Sequence, residues 1–247
     1  MKSFKTYITE SAKSDKYEVE VAAYMTKLGV NTSRPKVSSD YADLLIKHKG
    51  EEVWMEVKMN HTDNLGNTRV FFDGKGWDAP KKESSPLKKY IIKTLDKSKD
   101  AKKFVQDLED FSGIKGAKIP TTKGGLKDPK AIPHNVMKDF FKKRNQYIMA
   151  LPNQNLGEIV TAHYIEGKAE PTYYMQAGDD FYMIGKKNPL GLPSDIPLLS
   201  GTGDFRMRVG VRTSYYEVQP EVKIKKMPDS KYSVKPGTKK LNPFKGI

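Results

Sequence analysis

Residues 41–58 read YADLLIKHKGEEVWMEVK: two apolar-rich runs joined by the polar stretch Lys47-His48-Lys49-Gly50-Glu51. Short runs rich in Leu, Ile, Val and Trp on either side of a glycine-containing connection predict a β-hairpin. With the turn centred on Lys49-Gly50, Leu45 falls across from Trp54 and Asp43 across from Glu56, their Cβ atoms about 4.5–5.5 Å apart. Residues two apart in a strand share a face, so Glu56 joins Lys58 on one side while Val53, Met55 and Val57 occupy the other. Like charges facing each other destabilise a sheet unless a cation lies between them. Asp43, Glu56 and Lys58 therefore converge in a geometry suited to a metal. Leu45 and Trp54 beside those charges give the face the mixed character of a cleft.

Phosphodiester hydrolysis requires oxygen ligands for a hard divalent cation, an activated water and relief of negative charge in the transition state. Asp43 and Glu56 supply carboxylates, and the Val57 carbonyl can complete one edge of a coordination sphere. Lys58 can orient the water or stabilise developing charge. Upstream, Tyr17, Val21, Tyr24 and Leu28 fall at helical spacing, with Gly29 as a stop, and predict a helix over residues 13–28. That helix offers both Glu18 and Glu20, and periodicity does not choose between them.

Asp43, followed after twelve residues by Glu56-Val57-Lys58, resembles the motif of the PD-(D/E)xK nucleases. This superfamily contains restriction endonucleases, Holliday-junction resolvases and recombination exonucleases. Tyr17-Glu18-Val19-Glu20-Val21-Ala22, running to Leu28-Gly29, is similar to the family's helix that carries a glutamate and ends at glycine. The resemblance covers residues 11–73 and extends to the helix and strand expected over 134–151. It implies an α/β fold with a restriction-endonuclease-like αβββαβ core and a mixed sheet. It also implies Mg²⁺- or Mn²⁺-dependent DNA hydrolysis. Asp43, Glu56, Val57 and Glu18 would hold the metal, Lys58 would assist water attack, and Glu18 is preferred to Glu20. Tyr41-Ala42 stands where proline often precedes the aspartate. Resolvases and many restriction enzymes act as dimers, so the resemblance allows a homodimer. The opening MKSFKTYI is similar to the starts of many tailed-phage proteins. It points to recombination, repair or phage genome processing in the host cytoplasm.

The formal charge of +14 is a statement about partners, and polyanions such as DNA are the natural ones. The absence of cysteine excludes disulfides, thiolate zinc sites and cysteine nucleophiles. His48, His61, His134 and His163 show no metal-ligand spacing, although Asn60 and His61 stand just beyond the motif. There is no signal-peptide-like start and no run of membrane-spanning length, so an intracellular protein without a membrane partner is expected. Residues 112–131 hold Lys115, Lys118, Lys123, Lys127 and Lys130 against Asp128, among Gly113, Gly116, Gly124 and Gly125. A mobile loop that tracks DNA phosphates is expected there.

Along the rest of the chain, a strand is expected over 68–72, helical structure over 86–111 and a helix over 134–145. Strands are expected at 146–151, 158–165, 172–176, 181–184, 204–212 and 215–226, with a turn at Gly178-Asp179. The expected organisation is a nuclease core at 1–151, a β-rich extension or second domain at 152–226 and a poorly packed basic tail at 227–247. The alternative function is a non-catalytic, virion-associated nucleic-acid-binding protein on the same fold, which metal-dependent cutting would separate from an enzyme.

Overall fold

The computed structural model describes residues 4–34, 42–61, 64–80, 85–120, 122–141, 146–213 and 216–245. Their elements are, in order, α1 (Phe4–Lys27), β1 (Asn31–Ser33), β2 (Leu44–His48), β3 (Glu51–Lys58), β4 (Asn64–Asn67), β5 (Phe71–Phe72) and β6 (Trp77–Asp78). There follow α2 (Pro86–Lys97), α3 (Lys99–Ser112), a 3-10 turn at Gly124–Lys127, α4 (His134–Phe140) and β7 (Gln146–Asn155). The chain closes with α5 (Leu156–Tyr164), β8 (Thr172–Ala177), β9 (Asp180–Met183), β10 (Thr202–Val211) and β11 (Tyr216–Lys226). They form two compact units. The first comprises Met1–Asp63, Leu156–Gly201 and Lys226–Ile247; the second comprises Asn64–Asn155 and Thr202–Lys225. Among the described residues no helix is long and apolar enough to cross a membrane.

The first unit is built on a mixed five-stranded sheet in the order β1-β2-β3-β8-β9. β2 and β3 form the expected hairpin, with Leu44 opposite Met55, Leu45 opposite Trp54 and Ile46 opposite Val53. Lys49 and Gly50 make the two-residue turn with φ of 49° and 85°. Two successive positive φ values match the right-handed twist of the flanking strands, and glycine at the second position lowers their cost. Val53, Met55 and Val57 are buried against Tyr17, Val21 and Met25 of α1, so the helix's inner stripe runs through Met25 instead of Tyr24 and Leu28.

β8 runs parallel to β3. Parallel neighbours require a crossover connection, and within this unit α5 immediately precedes β8. The order of elements is thus α1-β1-β2-β3-α5-β8. The first strand is Asn31-Thr32-Ser33, polar throughout and paired to the edge of β2. One element of this order differs from the sequence expectation. Residues 158–165, expected as a strand, lie almost wholly in α5, whose Leu156, Ile159 and Val160 are buried at helical spacing. Its Ile, Val and Thr favour strands, and tertiary burial overrides that preference. Residues 227–247 are also not a loose tail over their described part. Tyr232, Val234 and Phe244 join the core, and Val234 N–H donates to Gln176 Oε1 at 2.9 Å.

The second unit has a four-stranded sheet in the order β4-β11-β10-β7. The run at 68–72 belongs here, as a short β5 preceded by a bridge from Val70 to Val218. Ser98 divides the helical stretch at 86–112: it ends α2 and its hydroxyl caps α3 by accepting from Ala101 N–H. The 112–131 segment is anchored instead of freely mobile. Ala117, Ile119 and Ala131 are buried, and Ile119 N–H donates to Phe72 O at 2.8 Å. The span expected as an extension, 152–226, is shared: 156–201 completes the first sheet and 202–225 belongs to the second unit.

Candidate active site

The site lies in the first unit, where β2 begins and β3 ends. Asp43 immediately precedes β2, and its Oδ2 accepts from Val57 N–H at 2.8 Å. That bond holds the carboxylate across the hairpin, as the register requires. Glu56 is buried on β3, and its Oε1 meets Lys58 Nζ in an ion pair. The same oxygen accepts from Tyr164 OH, at the end of α5, at 3.3 Å. From α1, Glu18 Oε2 accepts from Arg34 Nη2 at 2.9 Å, and Glu18 Oε1 from Ser14 Oγ at 3.5 Å. Glu20 is turned to solvent, 3.7 Å from exposed Lys16. Asp43, Glu56, Lys58 and Glu18 are thus brought together, and Glu18 is distinguished from Glu20.

Negative charge exceeds positive charge here. Burial pushes the Asp43 carboxyl up to about 7, and the neighbouring Glu56 carboxylate pushes the same way. The Lys58 ammonium and the Val57 N–H oppose the rise, while Glu18 adds to it. Burial works against the Lys58 ammonium, yet Glu56 and Asp43 outweigh it and raise its pKa. Burial, reinforced by Glu56 and Asp43, raises Tyr164 well above the ordinary phenol value, so it stays a neutral donor.

Comparison with protein-family models, curated proteins and solved structures finds no match to this chain.

The donor set consists of carboxylate oxygens, which is the preference of Mg²⁺ and Mn²⁺. The raised Asp43 pKa marks a place short of positive charge, and a divalent cation would supply it. The residues fit such an ion. Among the described residues, however, no three His, Asp or Glu side chains form a ready cage. Lys58 engages the Glu56 oxygen and Arg34 holds Glu18, so metal entry requires these contacts to yield.

The five loop lysines belong to the second unit. Lys115, Lys123, Lys127 and Lys130 are exposed, whereas Lys118 is half-buried with its Nζ 2.6 Å from Asp128 Oδ2. Sequence reading missed Tyr164 and Arg34. Tyr164 is 108 positions from Glu56 and lay in an expected strand; no local pattern could have found it.

Proposed function

We propose that the first unit is a metal-dependent nuclease of PD-(D/E)xK type that hydrolyses DNA phosphodiesters. The observation that carries this reading is Asp43 fixed by the Val57 N–H beside Glu56 and Lys58, with its carboxyl pushed up to about 7. The order α1-β1-β2-β3-α5-β8, with β8 parallel to β3, supports it, since this is the αβββαβ order of a restriction-endonuclease-like core. The formal charge of +14 supports a polyanionic substrate.

In this reading Asp43, Glu56 and the Val57 carbonyl hold Mg²⁺ or Mn²⁺, and Glu18 completes the site. The bound ion supplies Lewis acidity and a water of lowered pKa. Lys58, released from Glu56, places its ammonium near the phosphoryl oxygens and stabilises charge as it develops. Tyr164 keeps the Glu56 carboxylate oriented, and Arg34 does the same for Glu18. Recombination, repair or phage genome processing is the setting we propose, and a homodimer is compatible with it.

The second reading is a non-catalytic nucleic-acid-binding protein on the same scaffold. One observation favours it: Glu56 Oε1 already serves Lys58 and Tyr164. Cleavage of labelled linear, circular, single-stranded and branched DNA with Mg²⁺ or Mn²⁺ separates the two. The nuclease reading expects cutting by the wild type, its loss in Asp43→Ala and Lys58→Ala, and retained DNA binding in Asp43→Ala. Binding without cutting on every substrate favours the second reading.

A further inference from the structure

Just beyond β3, the imidazole of His61 has a built seat. Its Nε2 lies 2.8 Å from Asp180 Oδ2. Asp180 is buried, and its other oxygen accepts from Ser230 N–H at 2.9 Å and from Lys240 Nζ at 2.5 Å. The ring packs over Gly178, where a Cβ would stand 3.1 Å from its atoms and where φ is +57°. Glycine gives the ring room and suits that backbone. The seat is joined to the candidate site through the backbone: Gly178 N–H donates to Lys58 O at 2.9 Å. Gly178 O accepts from Tyr17 OH at 2.9 Å and from Gln176 Nε2 at 2.8 Å. Despite these constraints the His61 side chain is 43% exposed.

A buried carboxylate that accepts from one ring nitrogen fixes the tautomer and aims the other nitrogen. With the proton on Nε2 facing Asp180, Nδ1 becomes a donor only when the ring gains a second proton. The surrounding charges then decide what it can bind. Neutral His61 with Asp180 and Lys240 carries no net charge, and protonation makes this group +1. In the same turn Asp179 is matched by an ion pair with Lys235. From α1, Tyr17 stays neutral, since burial pushes its hydroxyl up to about 12. Protonation therefore adds one uncompensated positive charge next to the backbone of Lys58.

We infer that His61, aimed by Asp180, is a phosphate-binding residue that takes a DNA backbone phosphate beside the one held at Asp43, Glu56 and Lys58. The inference rests on the proposed DNA substrate and goes beyond it by assigning a further binding residue. A phosphate contact shows in the salt dependence of binding, where each one neutralised contributes about 0.9 to the slope of log K against log salt on duplex DNA.

The test is the salt dependence of binding of the full chain to a short labelled duplex, in EDTA to prevent cutting, at about pH 5.5. Proteins are compared under one buffer condition, so that contributions common to all of them cancel. His61→Ala is expected to lose about 0.9 of the slope. His61→Lys is expected to keep the steep slope, which a purely structural role would not produce. An unchanged slope in His61→Ala, with the wild type still cutting DNA, overturns the inference and leaves the nuclease reading standing. The expected slopes in a wild type that never cuts DNA leave the inference standing and remove the catalytic reading. No binding to DNA by the wild type overturns both.

Discussion

Lys58 and Lys118 are both partly buried lysines paired to a carboxylate, yet their surroundings place opposite demands on the acids nearby. In the first unit Lys58 faces Glu56, Asp43 and Glu18, and burial with the unmatched charge pushes the Asp43 carboxyl up to about 7. In the second unit Asp128 accepts from Lys118 and from the Lys130 N–H, and these hold its carboxyl below the ordinary value. Desolvation and local charge balance decide the sign. The Lys118–Asp128 pair is satisfied as it stands. The hairpin site has room, electrostatically, for another cation. Strongly perturbed groups such as Asp43 concentrate where chemistry is done.

The largest effect expected from this contrast is on cutting. Lys58→Ala should slow DNA cleavage by roughly 10²–10³-fold, the scale for losing one charge-stabilising donor. Lys118→Ala should leave the cleavage rate within twofold or so of wild type under saturating DNA. Single-turnover cleavage of a labelled duplex checks both. Glu18→Gln should fall between them, at roughly tenfold, and Glu20→Gln should match wild type; equal effects of the two would break the assignment of the helical carboxylate.

A smaller effect is expected on stability. The folded-state pKa of Asp43 is raised above its unfolded value of 3.8, so the folded protein binds more protons between these values. Its contribution to stability is full below about pH 4 and is lost as pH rises through about 7. Metal-free wild type should therefore lose thermal stability across that window, and Asp43→Asn should flatten the profile. Mg²⁺ at about ten times its dissociation constant should raise Tm by roughly 2–6 °C at pH 8 and leave it unchanged below pH 5. Calorimetry over pH, with and without Mg²⁺, reads all three. The smallest effect is that of the surface pair: Asp128→Ala should leave the midpoint of a urea unfolding series close to that of the wild type.

What the sequence disclosed follows the range of the interactions involved. The hairpin was legible because its alternation and its turn at Lys49-Gly50 are local, and that register alone aligned Asp43 with Glu56. Glu18 and Glu20 could not be separated until α1 was docked, since both flank the same stripe. α5 is rich in β-favouring residues, so the crossover helix was expected as a strand. Tyr232, Val234 and Phe244 are thinly spread among lysines and prolines, and average composition concealed their burial. Likewise Ala117 and Ile119 anchor a segment whose lysines and glycines suggested a free loop. Tyr164, Arg34 and the His61–Asp180 pair arise only from tertiary contact.

The most direct test of the central claim is single-turnover incubation of labelled DNA with Mn²⁺ at protein concentrations where wild type and Asp43→Ala are both shown to be fully bound. The account predicts metal-dependent cutting by the wild type, none by Asp43→Ala, and none by either in EDTA. Cutting by Asp43→Ala at the wild-type rate, or no cutting by the fully bound wild type, would contradict it.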